Sequence, residues 1–236
     1  MQLFYNAELL EETKNFSFDR DESRHIIKVL RRKIDDILLI TNGHGLIFTA
    51  VITDSNTKAC SVKIVEVKKI APSKHSLHLI VAPTKMNERY EWFLEKATEI
   101  GVQEITPILC DRSERKHVKI ERFKKVILSA MKQSSQAYLP KINPLITFKD
   151  FLDKPQSNQL FIAHCDDSKR FQLSKQLKLH SDYTIMIGPE GDFSSDEIAK
   201  AKEKGFVPVL LGNTRLRTET AAIVACTTVA VVNSQS

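Results

Sequence analysis

Two glycine-bearing segments carry the residue types best suited to chemistry. Gly188-Pro189-Glu190-Gly191-Asp192-Phe193 directly follows the apolar run Tyr183 to Ile187. Its glycines permit close backbone approach or a positive φ, and Pro189 stiffens the turn. Leu211-Gly212-Asn213-Thr214-Arg215-Leu216-Arg217-Thr218-Glu219-Thr220-Ala221 ends another apolar run and opens the last helical stretch. A helix start offers unpaired N–H groups and a partial positive charge. Either segment alone is consistent with an ordinary strand-to-helix turn. Paired at the carboxyl ends of parallel strands, they outline a crevice suited to a nucleotide-like ligand. Neither is a G-x-x-x-x-G-K-[ST] or G-x-G-x-x-G cradle, which argues against ATPase, kinase and standard dinucleotide chemistry.

A second feature is basic. From Arg112 to Lys125, seven cations (Arg112, Arg115, Lys116, Lys119, Arg122, Lys124, Lys125) face only Glu114 and Glu121. Glu121 with Lys125 has i,i+4 spacing, so a solvated helix face accounts equally well for the run. A further cluster, Lys28, Arg31, Arg32 and Lys33, lies near the N-terminus. Two such clusters suit one long anionic ligand, such as RNA. Six phosphate contacts on a single strand would give a log–log salt slope of about −4.

The positioning elements fall into two groups. Ile37 to Thr41, Leu46 to Thr53 and Ala59 to Val67 read as strands separated by Asn42-Gly43-His44-Gly45 and Asp54-Ser55-Asn56-Thr57 turns, the pattern of a small barrel or meander. A helix is predicted over Asp21 to Arg31 with Asp21 as its N-cap. Residues 1–70 thus form one domain, and Ala71-Pro72-Ser73-Lys74 reads as a linker. From residue 74 to 236, strand-like and helical runs alternate, which predicts an α/β domain with a helix-covered parallel sheet. Its strands are Leu77 to Ala82, Ile105 to Leu109, Leu160 to Ala163, Tyr183 to Ile187 and Val207 to Leu211. Its helices include one through Tyr90, Phe93, Leu94 and Ala97 ended by Gly101, and one with an apolar stripe from Ile120 to Met131. Another is opened by the capping box Ser194-Ser195-Asp196-Glu197 and ended by Gly205, and the last runs from Thr218 to Val232.

Composition bounds the remaining options. The chain has 236 residues, 42% hydrophobic and 27% charged, typical of a folded globular protein. Thirty-five Lys and Arg against 29 Asp and Glu give a net charge of +6, which favours a polyanionic partner. Cys60, Cys110, Cys165 and Cys226 form no C-x-x-C pair, so neither a disulfide framework nor a zinc knuckle is expected, and a reducing cytoplasm fits. The opening residues lack a basic region followed by an apolar core, so no signal peptide is expected. Ala221 to Val232 is too short to span a bilayer and reads as a buried helix, with Cys226 in the core. His75 and His78 would face opposite sides of a strand, so no metal site is expected there. Trp92 reads as packing beside Tyr90 and Phe93, and no G-x-S-x-G nucleophile elbow is present.

The two glycine segments together resemble the signature loops of the ribosomal RNA small subunit methyltransferase E family, in the SPOUT class of S-adenosylmethionine-dependent RNA methyltransferases. His25-Ile-Ile-Lys-Val-Leu-Arg31, Lys96-Ala-Thr-Glu-Ile-Gly-Val102 with Pro107, Arg112-Ser113 and Gln133-Ser134 extend the resemblance over essentially the whole chain. It implies an N-terminal PUA-like β-barrel that binds RNA and a C-terminal trefoil-knotted methyltransferase domain. It further implies a cytoplasmic homodimer that methylates N3 of a uridine in 16S rRNA of the small ribosomal subunit, with no metal and no membrane. Ile187, Gly188, Glu190, Gly191, Leu211, Gly212, Leu216, Arg217 and Thr220 would hold the cofactor, and the loop after Ala163 would close a third side. Three positions depart from the pattern. Asp192 replaces a second consecutive glycine and implies a stiffer loop, Gln136 stands where Arg is frequent, and Asp35 where glycine is common.

The implied chemistry assigns roles. Uridine N3 is a weakly acidic imide and a poor nucleophile until its proton leaves. Arg217, with Arg215 behind it, is the expected cation for the developing charge. Glu190 or Glu219 is the expected proton acceptor, although Glu190 could simply satisfy its own turn and Glu219 a helix first turn. Lys28, Arg31, Arg32, Arg112, Arg115 and Lys116 are the expected RNA contacts. A non-catalytic RNA-binding or ribosome-assembly protein is the alternative, one that predicts salt-sensitive RNA binding without cofactor affinity. A small-molecule methyltransferase would leave the barrel and both basic clusters without a purpose.

Overall fold

A computed structural model describes residues 2–155, 158–166 and 169–234. The chain divides into two compact units, Met1–Pro72 with Met131–Leu139, and Ser73–Ala130 with Pro140–Ser236.

The first unit contains β1 (Leu3–Tyr5), β2 (Asn15–Ser17), α1 (Arg20–Arg24), β3 (Ile37–Thr41), β4 (Leu46–Asp54) and β5 (Ser61–Lys69). Its sheet has the order β1-β3-β4-β5-β2, with β1 parallel to β3 and the other pairs antiparallel. Alternate residues of β3 and β4 (Leu38, Ile40; Phe48, Ala50, Ile52) point inward with Phe4, Phe18 and Ile26. The turn between β3 and β4 needs glycine: Gly43 and Gly45 have φ of +75° and +91°, and Asn42 Oδ1 accepts the His44 and Leu46 N–H groups. The predicted helix over Asp21 to Arg31 is shorter and differently capped. Asp19, not Asp21, is the N-cap, accepting from the Glu22 N–H at 2.8 Å. After Arg24 the chain widens into a π-helical turn, His25–Val29, which places Arg31 at φ +56°. Asp35 has φ +71°, a left-handed backbone that favours glycine.

Residues 131–139 are built into this unit. Leu139 N–H donates to Gly43 O at 2.9 Å, Gly45 N–H to Ala137 O at 3.0 Å, and Tyr138 OH to Ile70 O at 2.8 Å.

The second unit holds β6 (Ser76–Val81), α2 (Asn87–Ile100), β7 (Glu104–Leu109), α3 (Ile120–Gln133, whose last turn enters the first unit), β8 (Lys141–Ile142), β9 (Ile146–Thr147) and α4 (Phe148–Leu152). It continues with β10 (Gln159–Ala163), β11 (Phe171–Gln172), α5 (Leu173–Gln176), β12 (Asp182–Ile187), α6 (Ser195–Glu203), β13 (Val207–Leu210) and α7 (Thr218–Ser234). The sheet order is β11-β13-β10-β12-β6-β7-β8, with β9 alongside β7, and every pairing is parallel, as the alternating pattern predicts. Parallel strands are buried on both faces, which explains continuous apolar runs such as Leu79-Ile80-Val81 and Ile185-Met186-Ile187. One face packs Ile80, Ile162 and Met186 against Phe148, Phe151, Ile198 and Phe206. On the other, α7 packs on β6, β12 and α2.

Local chemistry ends these helices where expected. Gly101 caps α2 at φ +105°, and Ser194 with Glu197 forms a complete capping box on α6. The shortest elements, the two-residue strands β8, β9 and β11, carry too few residues to show a period in the sequence.

Candidate active site

Strand register builds the site. Ala163 at the end of β10 lies beside Ile187 of β12 on one side and Val209 of β13 on the other. The loops after these three strands therefore leave the sheet side by side, at the carboxyl edge where open parallel sheets bind ligands. They enclose a cleft of about 670 Å³ lined by Ala163 to Cys165, Arg170, Ile187 to Glu190, Asp192, residues 209–218 and Ala221.

The cleft gathers most of the expected cofactor residues: Ile187, Gly188, Glu190, Leu211, Gly212, Leu216 and Arg217 all line it. Gly191 and Thr220 do not, and neither does Glu219. Glu219 is buried in the first turn of α7, with Oε1 3.8 Å from Arg89 Nε of α2. Glu190 is placed differently. It lines the cleft, and its Oε1 accepts the Lys85 N–H at 2.9 Å; Oε2 is shielded from solvent and without a hydrogen-bond partner, as is Glu219 Oε2. Arg217 is exposed, and Arg215 reaches the Glu190 carbonyl at 3.3 Å.

The loop backbones are braced from several directions. Thr218 Oγ1 donates to Gly188 O at 3.0 Å, and Arg112 Nη1 donates to Gly191 O at 2.9 Å. Ser194 Oγ donates to Asp111 Oδ2 at 2.7 Å, and Asp111 N–H to Glu197 Oε1 at 3.0 Å, which ties the α6 cap to the end of β7. The loop glycines act through space, not through positive φ. A Cβ on Gly188 would meet the Phe193 ring at 3.0 Å, and one on Gly191 would meet Arg112 Cβ at 3.2 Å. A Cβ on Gly212, which lines the cleft, would meet nothing within 4 Å. The left-handed residue of the first loop is Asp192, at φ +65°. Its carboxylate accepts from the Phe193 N–H at 2.8 Å and the Cys165 N–H at 2.7 Å, so it links two loops.

The basic run is not a continuous helix face. Arg112 and Arg115 precede α3, and Arg115 donates to Asn87 Oδ1 and to Lys85 O. Arg122 donates to Glu91 Oε2 at 2.8 Å. Glu121 pairs with Lys124 at 2.7 Å, not with Lys125, so the i,i+4 expectation is replaced by an i,i+3 pair. Lys116 is exposed in the same loop; in the first unit Lys28 and Arg31 are exposed and Arg32 is half-buried.

Sequence reasoning passed over His164 and Arg170, both lining the cleft. The available signal was position: His164 is the first polar residue after Phe161-Ile162-Ala163, at a strand's carboxyl end. Among the described residues, no group of three or more His, Cys, Asp or Glu could hold a metal ion, and no helix is long and apolar enough to cross a membrane. His78 is a structural residue, half-buried with Nε2 2.7 Å from Thr106 Oγ1.

The family model described as an RNA methyltransferase domain matches residues 71–230, which hold this helix-covered parallel sheet and its three-loop cleft. An RNA methyltransferase PUA domain model matches residues 18–65. The chain belongs to the ribosomal RNA small subunit methyltransferase E family. The member from Buchnera aphidicola (subsp. Acyrthosiphon pisum) is 36% identical over 227 residues, covering 92% of this chain and 88% of its own. A crystal structure from Porphyromonas gingivalis, described as a probable rRNA-methyltransferase, superposes with a TM-score of 0.92 at 38% identity, covering 100% and 99%. That of the Neisseria gonorrhoeae ribosomal RNA small subunit methyltransferase E, bound to S-adenosyl methionine, gives 0.88 at 27% identity, covering 99% and 98%.

Proposed function

We propose that the chain transfers a methyl group from S-adenosylmethionine to N3 of a uridine in 16S rRNA of the small ribosomal subunit. The observation that carries this reading is the cleft at the ends of β10, β12 and β13, where glycine backbone, an unpartnered carboxylate oxygen and an exposed arginine converge. The site fits a nucleoside-based cofactor on its own terms. Its volume of about 670 Å³ lies within the usual range for small-molecule sites, and Gly212 leaves open the space that a side chain would fill. We assign cofactor contacts to Ile187, Gly188, Glu190, Leu211, Gly212, Leu216 and Arg217; Gly191 and Thr220 stand next to these contacts in sequence but outside the lining of the cleft.

When bound, S-adenosylmethionine supplies an electrophilic methyl group. The protein's own task is to deprotonate and orient the uracil and to exclude water. The Glu190 carboxylate, on a residue that lines the cleft, takes the N3 proton, and the Arg217 guanidinium balances the negative charge that spreads over N3 and the flanking carbonyls. Glu219 is the weaker candidate for the acceptor, because it faces Arg89 and lies outside the cleft. A base stacked within folded RNA must leave its stack to reach this site.

In this reading residues 1–70 are the RNA-binding domain and 74–236 the methyltransferase domain. Lys28, Arg31, Arg32, Arg112, Arg115 and Lys116 contact phosphates. The protein acts as a cytoplasmic homodimer, and its four free cysteines suit a reducing compartment. The test is incubation with labelled S-adenosylmethionine and unmethylated 30S particles, with the modified base mapped by mass spectrometry. Label at a uridine N3 is the expected result. RNA binding without transfer or cofactor affinity would leave a non-catalytic RNA-binding protein.

A further inference from the structure

We propose that Arg115 and Asn87 are positioning residues for the reaction: together they clamp the Lys85 peptide, whose N–H holds the Glu190 carboxylate. The proposal rests on the reading above, in which Glu190 takes the N3 proton, and adds to it two residues from outside the lining of the cleft.

Strand order supplies the frame. β6 lies between β12 and β7, so the loops that leave these three strands are neighbours at the carboxyl edge of the sheet. Glu190 belongs to the loop after β12, Lys85 to the loop after β6, and Arg115 to the loop after β7. Among the described residues, the Glu190 carboxylate takes its one hydrogen bond from the Lys85 N–H, at 2.9 Å. A carboxylate held at one point is only as steady as its donor. That donor is fixed from the far side: Arg115 Nη2 donates to Lys85 O at 2.7 Å, and Arg115 Nη1 donates to Asn87 Oδ1. One planar guanidinium thus ties the end of the β6 loop to the first residue of α2.

The loop that carries Arg115 is itself braced. Cys110 N–H donates to the buried Ser113 Oγ at 3.0 Å, Asp111 N–H donates to Glu197 at 3.0 Å, and Arg112 donates to Gly191 O at 2.9 Å. The β7 loop therefore grips Glu190 from two directions, through the next residue in its own loop and through the Lys85 peptide. The Lys85 side chain adds little, because its 2.9 Å pair with Glu114 is exposed on both partners. Arg115 is half-buried and commits two N–H groups to the protein, which leaves its remaining donors for a phosphate. A proton acceptor must lie within hydrogen-bond reach of the atom it deprotonates, and a displacement of about 1 Å can cost about 10²-fold in rate. Holding that carboxylate is the work the clamp performs.

The experiment is steady-state methyl transfer by the full-length protein to unmethylated 30S particles, with kcat and KM for the particle read separately. Asn87→Ala removes the acceptor for Arg115 and is expected to lower kcat about tenfold, with KM and its salt dependence unchanged. Alanine suits a helix start at this half-buried site, so thermal melts should match the wild type. Asn87→Asp keeps an acceptor for the guanidinium and should bring kcat back to within about twofold of wild type. In a Glu190→Gln background, Asn87→Ala should cost less than about twofold more, because the group it acts through is gone. An unchanged kcat in Asn87→Ala would overturn the proposal, as would a loss confined to KM, a failure of Asn87→Asp to restore turnover, or a full additional loss in the Glu190→Gln background. A Glu190→Gln variant that turns over at the wild-type rate would instead overturn the proposed proton acceptor.

Discussion

The Thr218 hydroxyl donates to the Gly188 carbonyl at 3.0 Å, joining residues 30 positions apart at the junction of the two glycine-bearing loops. Thr218 is the first residue of α7 and Gly188 the first after β12, so one buried hydrogen bond fixes a helix start against a strand end. Thr218→Val keeps the shape and removes the donor, leaving a buried carbonyl unpaired. A loss of about 1–3 kcal/mol in urea unfolding is expected, together with weaker S-adenosylhomocysteine binding, and Thr218→Ser should restore both.

Gly188 and Gly212 lack side chains for different reasons, and the same substitution separates them. Alanine at 188 puts a Cβ 3.0 Å from the ring of buried Phe193, so Gly188→Ala should lower the unfolding free energy by about 1–3 kcal/mol. Alanine at 212 meets nothing within 4 Å of the protein. Gly212→Ala should leave the melt unchanged and weaken ligand binding in calorimetry. An unaltered affinity would show that no ligand approaches that backbone.

What the sequence discloses is what local chemistry decides. Gly101 ending α2 and the Ser194–Glu197 box opening α6 depend on a few adjacent residues, and both sit where their types require. The paired loops were legible because each follows an apolar strand. Contacts across the chain were not. Arg112 reads as one more cation in a basic run, yet it donates to a carbonyl 79 residues away, and only the fold brings them together. Asp19 and Asp21 are equally good caps by type, and the chain path decides for Asp19. His164 carries no motif, and its interest lies in the absence of partners in a buried place, which no spacing encodes.

Asp192 combines an unfavourable backbone with useful hydrogen bonds. At φ +65° it bears the strain that glycine would avoid, while its carboxylate accepts from Phe193 and Cys165 N–H groups. Asp192→Gly should therefore be nearly neutral, relief of strain offsetting the lost acceptor. Asp192→Ala keeps the strain and loses the bonds, and should be less stable than the glycine variant by about 1 kcal/mol in denaturant melts.

His78 gives the fold a defined acid sensitivity. Burial pushes its imidazole down to about 4 from the ordinary 6.5, with Glu104 opposing and Lys141 and Lys154 adding to the shift. The unfolded chain binds the extra proton first, so this contribution is complete above pH 6.5 and is lost as pH falls toward 4. The full loss is on the order of 3 kcal/mol. Burial alone would raise Glu104, but hydrogen bonds from Asn143 and Lys141 hold its carboxyl below the usual value, extending the loss at lower pH. His78→Gln can keep a bond to Thr106 without titrating. Urea melts across this range should show a flatter profile for the variant, and an unchanged slope would assign the acid sensitivity elsewhere.

Arg217, Glu190 and Glu219 can be ordered by position. Arg217 is exposed at the cleft, so Arg217→Ala should fold with stability within about 0.5 kcal/mol of wild type. If its charge balances the deprotonated uracil, turnover on 30S particles should fall by about 10²–10³. An unchanged rate would remove it from the mechanism. Glu190→Gln keeps an acceptor for the Lys85 N–H but cannot take a proton, and should lower kcat by about 10²–10⁴. Glu219→Gln alters a buried carboxylate that faces Arg89 at 3.8 Å outside the cleft. Its effect should fall on the melting curve, with kcat nearly preserved. The opposite pattern, a silent Glu190→Gln and an inactive Glu219→Gln, would transfer the proton acceptor to the first turn of α7.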